Sequence, residues 1–158
     1  MPINFEDLLN LGKESADLVI RNNSEIDETI ESFRVSLSTF LNLNINFTEE
    51  IEYEDDTNSI AARIRITNNL FEPRKKTGYS YICVQHTETG VTRRLIKIQR
   101  SNDGYPITVI IDKSHYINDN QEEFARALGA IASNSQTHLT LRSFQRMVEE
   151  KNTQTKTN

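Results

Sequence analysis

The densest charge in the sequence is the run Glu49-Glu50-Ile51-Glu52-Tyr53-Glu54-Asp55-Asp56. Carboxylates this close together have two chemical uses. As cation ligands they must converge around a turn, with a glycine at the sharp bend. Here the glycine is missing, and strand alternation would line up Glu50, Glu52 and Glu54 on one face. As an acid–base pair they must sit in a cleft that pushes their pKa values apart, which a wet strand face does not provide. The run therefore reads as a solvated face, or as a docking surface for a basic partner. Such a field speeds encounter and sets specificity.

The other reactive side chains are scattered. Cys83 and His86 have a C-x-x-H spacing, but in a strand an odd offset points the two to opposite faces. A zinc site would need two more ligands, and only the distant His115 and His138 remain. Asp112, Ser114 and His115 supply the residue types of a triad without an elbow or an oxyanion loop. The five glycines, at 12, 78, 90, 104 and 129, are isolated, so no phosphate-cradling loop exists. No catalytic residue, metal site or cofactor is expected, and the protein reads as a non-enzyme.

Basic residues cluster in the middle of the chain: Arg63, Arg65, the triplet Arg74-Lys75-Lys76, Arg93, Arg94, Lys97 and Arg100. Of these, Arg63, Arg65, Arg93 and Lys97 could share one sheet face, near the alternating Tyr79 and Tyr81. Basic sheets with aromatics bind single strands and RNA in some proteins. The acidic balance of the whole chain and the absence of an RNP-like motif argue the other way.

The elements that must position these residues follow from hydrophobic period. Residues 4–21 form a first helix, with Phe5, Leu8, Leu9, Ala16 and Val19 on one face. Asn22-Asn23 is read as a break, with Ser24 capping a second helix over 25–42. In that helix Ile26, Ile30, Phe33, Leu37, Phe40 and Leu41 make one stripe, while Glu28 and Glu31 lie outside it. The stripe must be buried, on the sheet or against a second copy of the chain.

From residue 47 the period changes to two. Strands are expected over 47–54, 59–66, 79–86, 91–100 and 105–112. The first two would form a hairpin in which Tyr53 faces Ile60, Ile51 faces Ala62 and Glu50 faces Arg63. A basic loop over 68–78 follows that hairpin. Helices over about 120–132 and 137–150 close the domain, and residues 152–158 carry no apolar side chain and read as a disordered tail. The expected architecture is α+β: a five-stranded antiparallel meander, with two N-terminal and two C-terminal helices packed on one face.

At 158 residues the chain matches one domain, taken as 1–151. The single cysteine excludes an intramolecular disulfide. The acidic N-terminus is unlike a signal peptide, and no apolar run approaches the ~20 residues of a membrane span, so a cytoplasmic location is expected. Charge is uneven: residues 1–60 hold 14 acidic side chains against 3 basic, and the whole chain nets −5. The expected function is a non-catalytic protein-binding modulator, of the kind seen in immunity proteins, antitoxins and anti-defence inhibitors of bacteria or phage. Its contact with a basic partner would use Glu50, Glu52, Glu54, Asp55, Asp56, Glu28 and Glu31. The alternative is a nucleic-acid-binding regulator using Arg63, Arg65, Arg74, Lys75, Lys76, Arg93 and Lys97. A small enzyme with a noncontiguous site is the third reading, and a homodimer through helix 25–42 is a further possibility.

Overall fold

The structure, a computed structural model, describes residues 1–54 and 75–157. Its element order is α1 (Phe5–Leu41), β1 (Ile45–Tyr53), β2 (Lys76–His86), β3 (Thr92–Ser101), β4 (Gly104–Ile111), β5 (Ser114–Asn118), α2 (Gln121–Ala132) and α3 (Ser135–Lys156). The strands form one antiparallel sheet in sequence order. The α+β class and the five-stranded meander are as expected, with helices at both chain ends.

The N-terminal region corrects the expected pair of helices to one. Asn4 caps α1 by accepting from the Glu6 and Asp7 amides, and the helix ends where Asn42 takes a left-handed conformation. Asn22-Asn23 does not interrupt it. The Asn23 side chain donates to the Val19 carbonyl at 3.1 Å, and Asn22 donates to the Asp103 carbonyl at 3.1 Å. Both amides are thus satisfied inside a continuous helix. Asparagine loses only a few tenths of a kcal/mol of helix propensity, roughly 0.7 at most relative to Ala, and the contact with the β3–β4 turn offsets it. Ser24 lies within the helix and donates to Glu28 instead of capping.

Strand membership also differs from expectation. The segment 59–66 and its hairpin partners Ile60, Ala62 and Arg63 lie outside the described residues. In the described sheet β1 pairs with β2, so that Glu50 faces Tyr81, Ile51 faces Ser80 and Tyr53 faces Lys76. Part of the expected basic loop, from Lys76 to Gly78, belongs to β2. The fifth strand, β5, is one the sequence reading did not anticipate. It follows a turn in which Asp112 and Lys113 both have positive φ, 49° and 69°, the conformation of tight hairpins that usually selects Asn-Gly. At the C-terminus α3 continues through Lys156, past the expected tail boundary at residue 152.

The three helices cover one face of the sheet in two adjoining clusters. Ile26 joins Ile82, Ile96, Ile98, Ile107 and Val109 of the sheet with Phe124 and Leu128 of α2. Leu37 and Leu41 join Ile45, Val84 and Val91 with Leu141, Phe144 and Val148 of α3. The stripe of α1 from Ile26 onward is therefore taken up by the sheet and the C-terminal helices, with one exception. Phe40, expected in the stripe, is 67% exposed and meets the His138 ring edge to face, 5.8 Å away between ring centres. Ile26, Phe124, Phe144 and Val109 are fully buried. Side chains of this size gain about 1.5–3 kcal/mol each on burial.

One irregularity sets what the open face carries. Ile82 pairs with Ile96, but Cys83 pairs with Arg94, which leaves Leu95 as an extra residue on β3. A bulge of this kind reverses the alternation beyond it. Arg93 therefore turns to the helix side, where it meets the Met147 sulfur, while Arg94 and Lys97 share the open face. This corrects the expectation that Arg93 and Lys97 lie together, since an even spacing predicts one face only in a regular strand.

Candidate functional site

Neighbouring strands lie about 4.8 Å apart, close enough for side chains at paired positions to touch. On the open face β1 contributes Glu50 and Glu52, β2 contributes Tyr79, Tyr81 and Cys83, and β3 contributes Arg94 and Lys97. The Arg94 guanidinium bonds Glu50 at 2.5 Å and lies 4.4 Å from the centre of the Tyr81 ring. The Lys97 ammonium is 3.1 Å from Glu52, 4.8 Å from the Tyr79 ring centre and 5.6 Å from that of Tyr81. Thr77 donates to Glu52 at 3.1 Å. Tyr79 in turn meets His115 of β5 edge to face, with ring centres 6.1 Å apart. The result is a row of aromatics with two cations held over them by two carboxylates. No described element packs on this face.

The electrostatics follow from these contacts. The Arg94 hydrogen bond holds the Glu50 carboxyl below its ordinary range, and Arg94 is raised in return. For Lys97 burial acts downward, but the bond to Glu52 and the nearby Tyr81 raise it overall. Burial first, and Glu50 second, push the Cys83 thiol up; its sulfur lies 3.7 Å from a Glu50 oxygen. A raised thiol is a poor nucleophile at neutral pH.

A second charged group sits on the helix side, where α1 and β1 leave a groove of about 460 Å³. Glu49 accepts two bonds from Arg100, both 3.0 Å, and one from Ser80 at 2.7 Å. Burial raises its carboxyl, but these bonds outweigh burial and the net direction is down. Across the groove Arg34 binds Glu31 through two nitrogens, at 2.5 and 2.8 Å, and donates to the Ile45 carbonyl at 3.0 Å.

The residues expected to meet a partner are thus divided. Glu50 and Glu52 are paired with cations across the sheet, and Glu31 is paired within α1. Glu28 is exposed on α1 and Glu54 is exposed at the end of β1, its backbone amide bonded to the Lys75 carbonyl. Asp55, Asp56, Arg63, Arg65 and Arg74 lie outside the described residues. Lys75 and Lys76 are exposed where β2 begins. Sequence reasoning placed Tyr79 and Tyr81 beside the cations, but it left Arg94 out of the site because the bulge carries no sequence signal.

The histidines occupy three separate places. His86 is buried in the β2–β3 turn, its Nδ1 2.8 Å from the Thr89 hydroxyl. His115 is at the open face, and His138 donates to the Ala132 carbonyl at 2.7 Å. Among the described residues no three His, Cys, Asp or Glu side chains converge as a metal site, and no helix is long and apolar enough to cross a membrane. Comparison with protein-family models, curated proteins and solved structures finds no match to this chain.

Proposed function

We propose that the protein is a non-catalytic protein-binding modulator, of the immunity, antitoxin or anti-defence inhibitor kind, that docks on a basic partner protein through the open face of its sheet. The observation that carries this reading is the Tyr79–Tyr81–Arg94–Lys97 row with its carboxylates Glu50 and Glu52. Tyrosine and arginine are enriched among residues that dominate binding energy, and strand positions hold them rigidly. Glu50 is still half-exposed, its side chain 49% accessible against 26% for Glu52, so a partner's cation can reach it. Glu54, exposed at the end of the same strand, extends the negative field, whereas Glu28 is exposed on α1, on the other side of the sheet, and takes no part in this surface. A cytoplasmic location accords with this role.

The aromatic and cationic row also favours a second reading, a regulator that stacks single-stranded nucleic acid on Tyr79 and Tyr81. In that reading Arg94 and Lys97 would exchange their carboxylates for phosphates. The two readings separate by salt and charge. Reversal of Glu50 and Glu52 to lysine should slow association with a basic partner protein and flatten its salt dependence. For an oligonucleotide the same reversal should strengthen binding and steepen the salt slope. Kinetics against a captured partner and against labelled single strands, over a salt series, decide between them.

A further inference from the structure

From Phe5 to Leu18 every residue of α1 is exposed. Phe5, Leu8, Leu9, Leu11 and Leu18 are between 47% and 74% exposed. The stripe that packs on the sheet from Ile26 onward runs back in the same phase through Val19, Gly12 and Phe5, beyond the edge of the domain at the Asn22–Asp103 contact. At 100° per residue the charged side chains Glu6, Asp7, Lys13, Glu14, Asp17 and Arg21 gather on the opposite side. A helix of this length with an uncovered apolar side is marginal in water alone.

We propose that residues 5–22 form a self-association arm, paired antiparallel with the same segment of a second copy about a two-fold axis. This inference is independent of the docking surface on the sheet. The pattern is self-complementary. Written as heptads, Phe5, Gly12 and Val19 take the a positions and Leu8, Ser15 and Asn22 the d positions. Antiparallel helices stack a on d layers. One register then sets Leu8 opposite Val19 and Gly12 opposite Ser15, in each case with the second residue from the other chain. It also brings Phe5 to the level of Asn22, whose own side chain is held by the β3–β4 turn. In the same register the flanking pairs are Leu9 with Ala16 and Leu11 with Leu18.

The small residues fall at the centre, where the helices approach, and the large ones fall toward both ends. All six charges face outward.

Area agrees with this occupant. At their exposures, the five large side chains present on the order of 600 Å² per chain, so that a pair buries about the 1,000 Å² or more of a specific interface. The arm nets −2 in charge, which disfavours an anionic membrane surface as the alternative.

The test is the mass of the full chain in solution by light scattering or sedimentation. Wild type should have twice the chain mass at about 100 µM, well above the dissociation constants usual for interfaces of this size. Leu8→Glu with Leu11→Glu should be monomeric with the thermal unfolding of the domain unchanged, because both positions are exposed in the single chain; any loss of circular dichroism should not exceed the helix of the arm. Val35→Glu, on the part of α1 that lies over the sheet, should remain dimeric. Orientation is read by oxidation of a Leu8→Cys chain mixed with a Val19→Cys chain. A cross-link between the two variants is expected, with Cys83 buried and uninvolved. A monomeric wild type, a dimer that survives the two glutamates, or Leu8→Cys chains that link only to themselves would each overturn the proposal.

Discussion

The Arg94 guanidinium stands 4.4 Å from the Tyr81 ring centre while it bonds Glu50, the residue that faces Tyr81 across the β1–β2 pairing. One cation therefore ties three strands together on a face that no described helix covers. The contact holds Tyr81 in place before any partner arrives.

That geometry implies an energetic coupling between Arg94 and Tyr81. A double-mutant cycle of Arg94→Ala and Tyr81→Ala in urea denaturation should give about 0.5–1 kcal/mol, the range for a partly exposed cation–aromatic pair. Additive single effects would show that the two side chains are merely adjacent.

Stability should fall at both pH extremes, for separate reasons. Glu49 and Glu50 are held below the ordinary carboxylate value of 4.5 in the fold. Their contribution is complete above that value and is lost as pH falls through the lower folded value. On the alkaline side burial, reinforced by Glu25, pushes the Tyr105 phenol from 10.0 up to about 12. Its contribution is complete below pH 10.0 and disappears as pH rises to about 12. Urea midpoints for wild type, Glu49→Gln and Tyr105→Phe check both limbs. The first variant should respond less to acid and the second less to alkali. A variant that keeps the wild-type slope on its own limb would contradict the assignment.

Cys83 should resist thiol reagents in the native protein. It is 1% exposed and its pKa is raised by burial and by Glu50. Native labelling should be at least tenfold slower than labelling in urea; equal rates would mean that the sheet opens there readily.

Gly104 should be intolerant of alanine. Its φ is +89°, and a Cβ there would lie 2.8 Å from the Asn22 Cβ of α1. Gly104→Ala should cost about 1–3 kcal/mol through strain and through displacement of α1 from the β3–β4 turn. A thermal midpoint within a degree of wild type would rule this out.

Much of the architecture was legible in the residues because it rests on local period. The stripe Ile26–Ile30–Phe33–Leu37–Phe40–Leu41 announced a helix with one buried side, which holds for all but the exposed Phe40, and Asp103-Gly104 announced the β3–β4 hairpin. Three features were not legible, each for a tertiary reason. Asn22-Asn23 has the composition of a break, but the Asp103 carbonyl and the Val19 carbonyl satisfy its side chains within a helix. Asp112-Lys113 is a poor hairpin sequence that pairing with β4 nevertheless holds at positive φ. The Leu95 bulge moved Arg93 off the open face and put Arg94 beside Lys97. Both candidate surfaces drawn from the sequence met at this point, since Glu50 and Glu52 from one pair with Arg94 and Lys97, and only Lys97 had been counted in the other.

The most direct test of the docking account is affinity capture from the native host with two baits side by side, analysed by quantitative mass spectrometry. One bait is the wild-type chain; the other carries Tyr81→Ala, Glu50→Lys and Glu52→Lys and is first shown to be folded. The account predicts a basic protein that binds the wild type directly when purified and is depleted at least tenfold on the variant. Equal recovery of every protein on both baits, or recovery of nucleic acid in place of a protein, would contradict it.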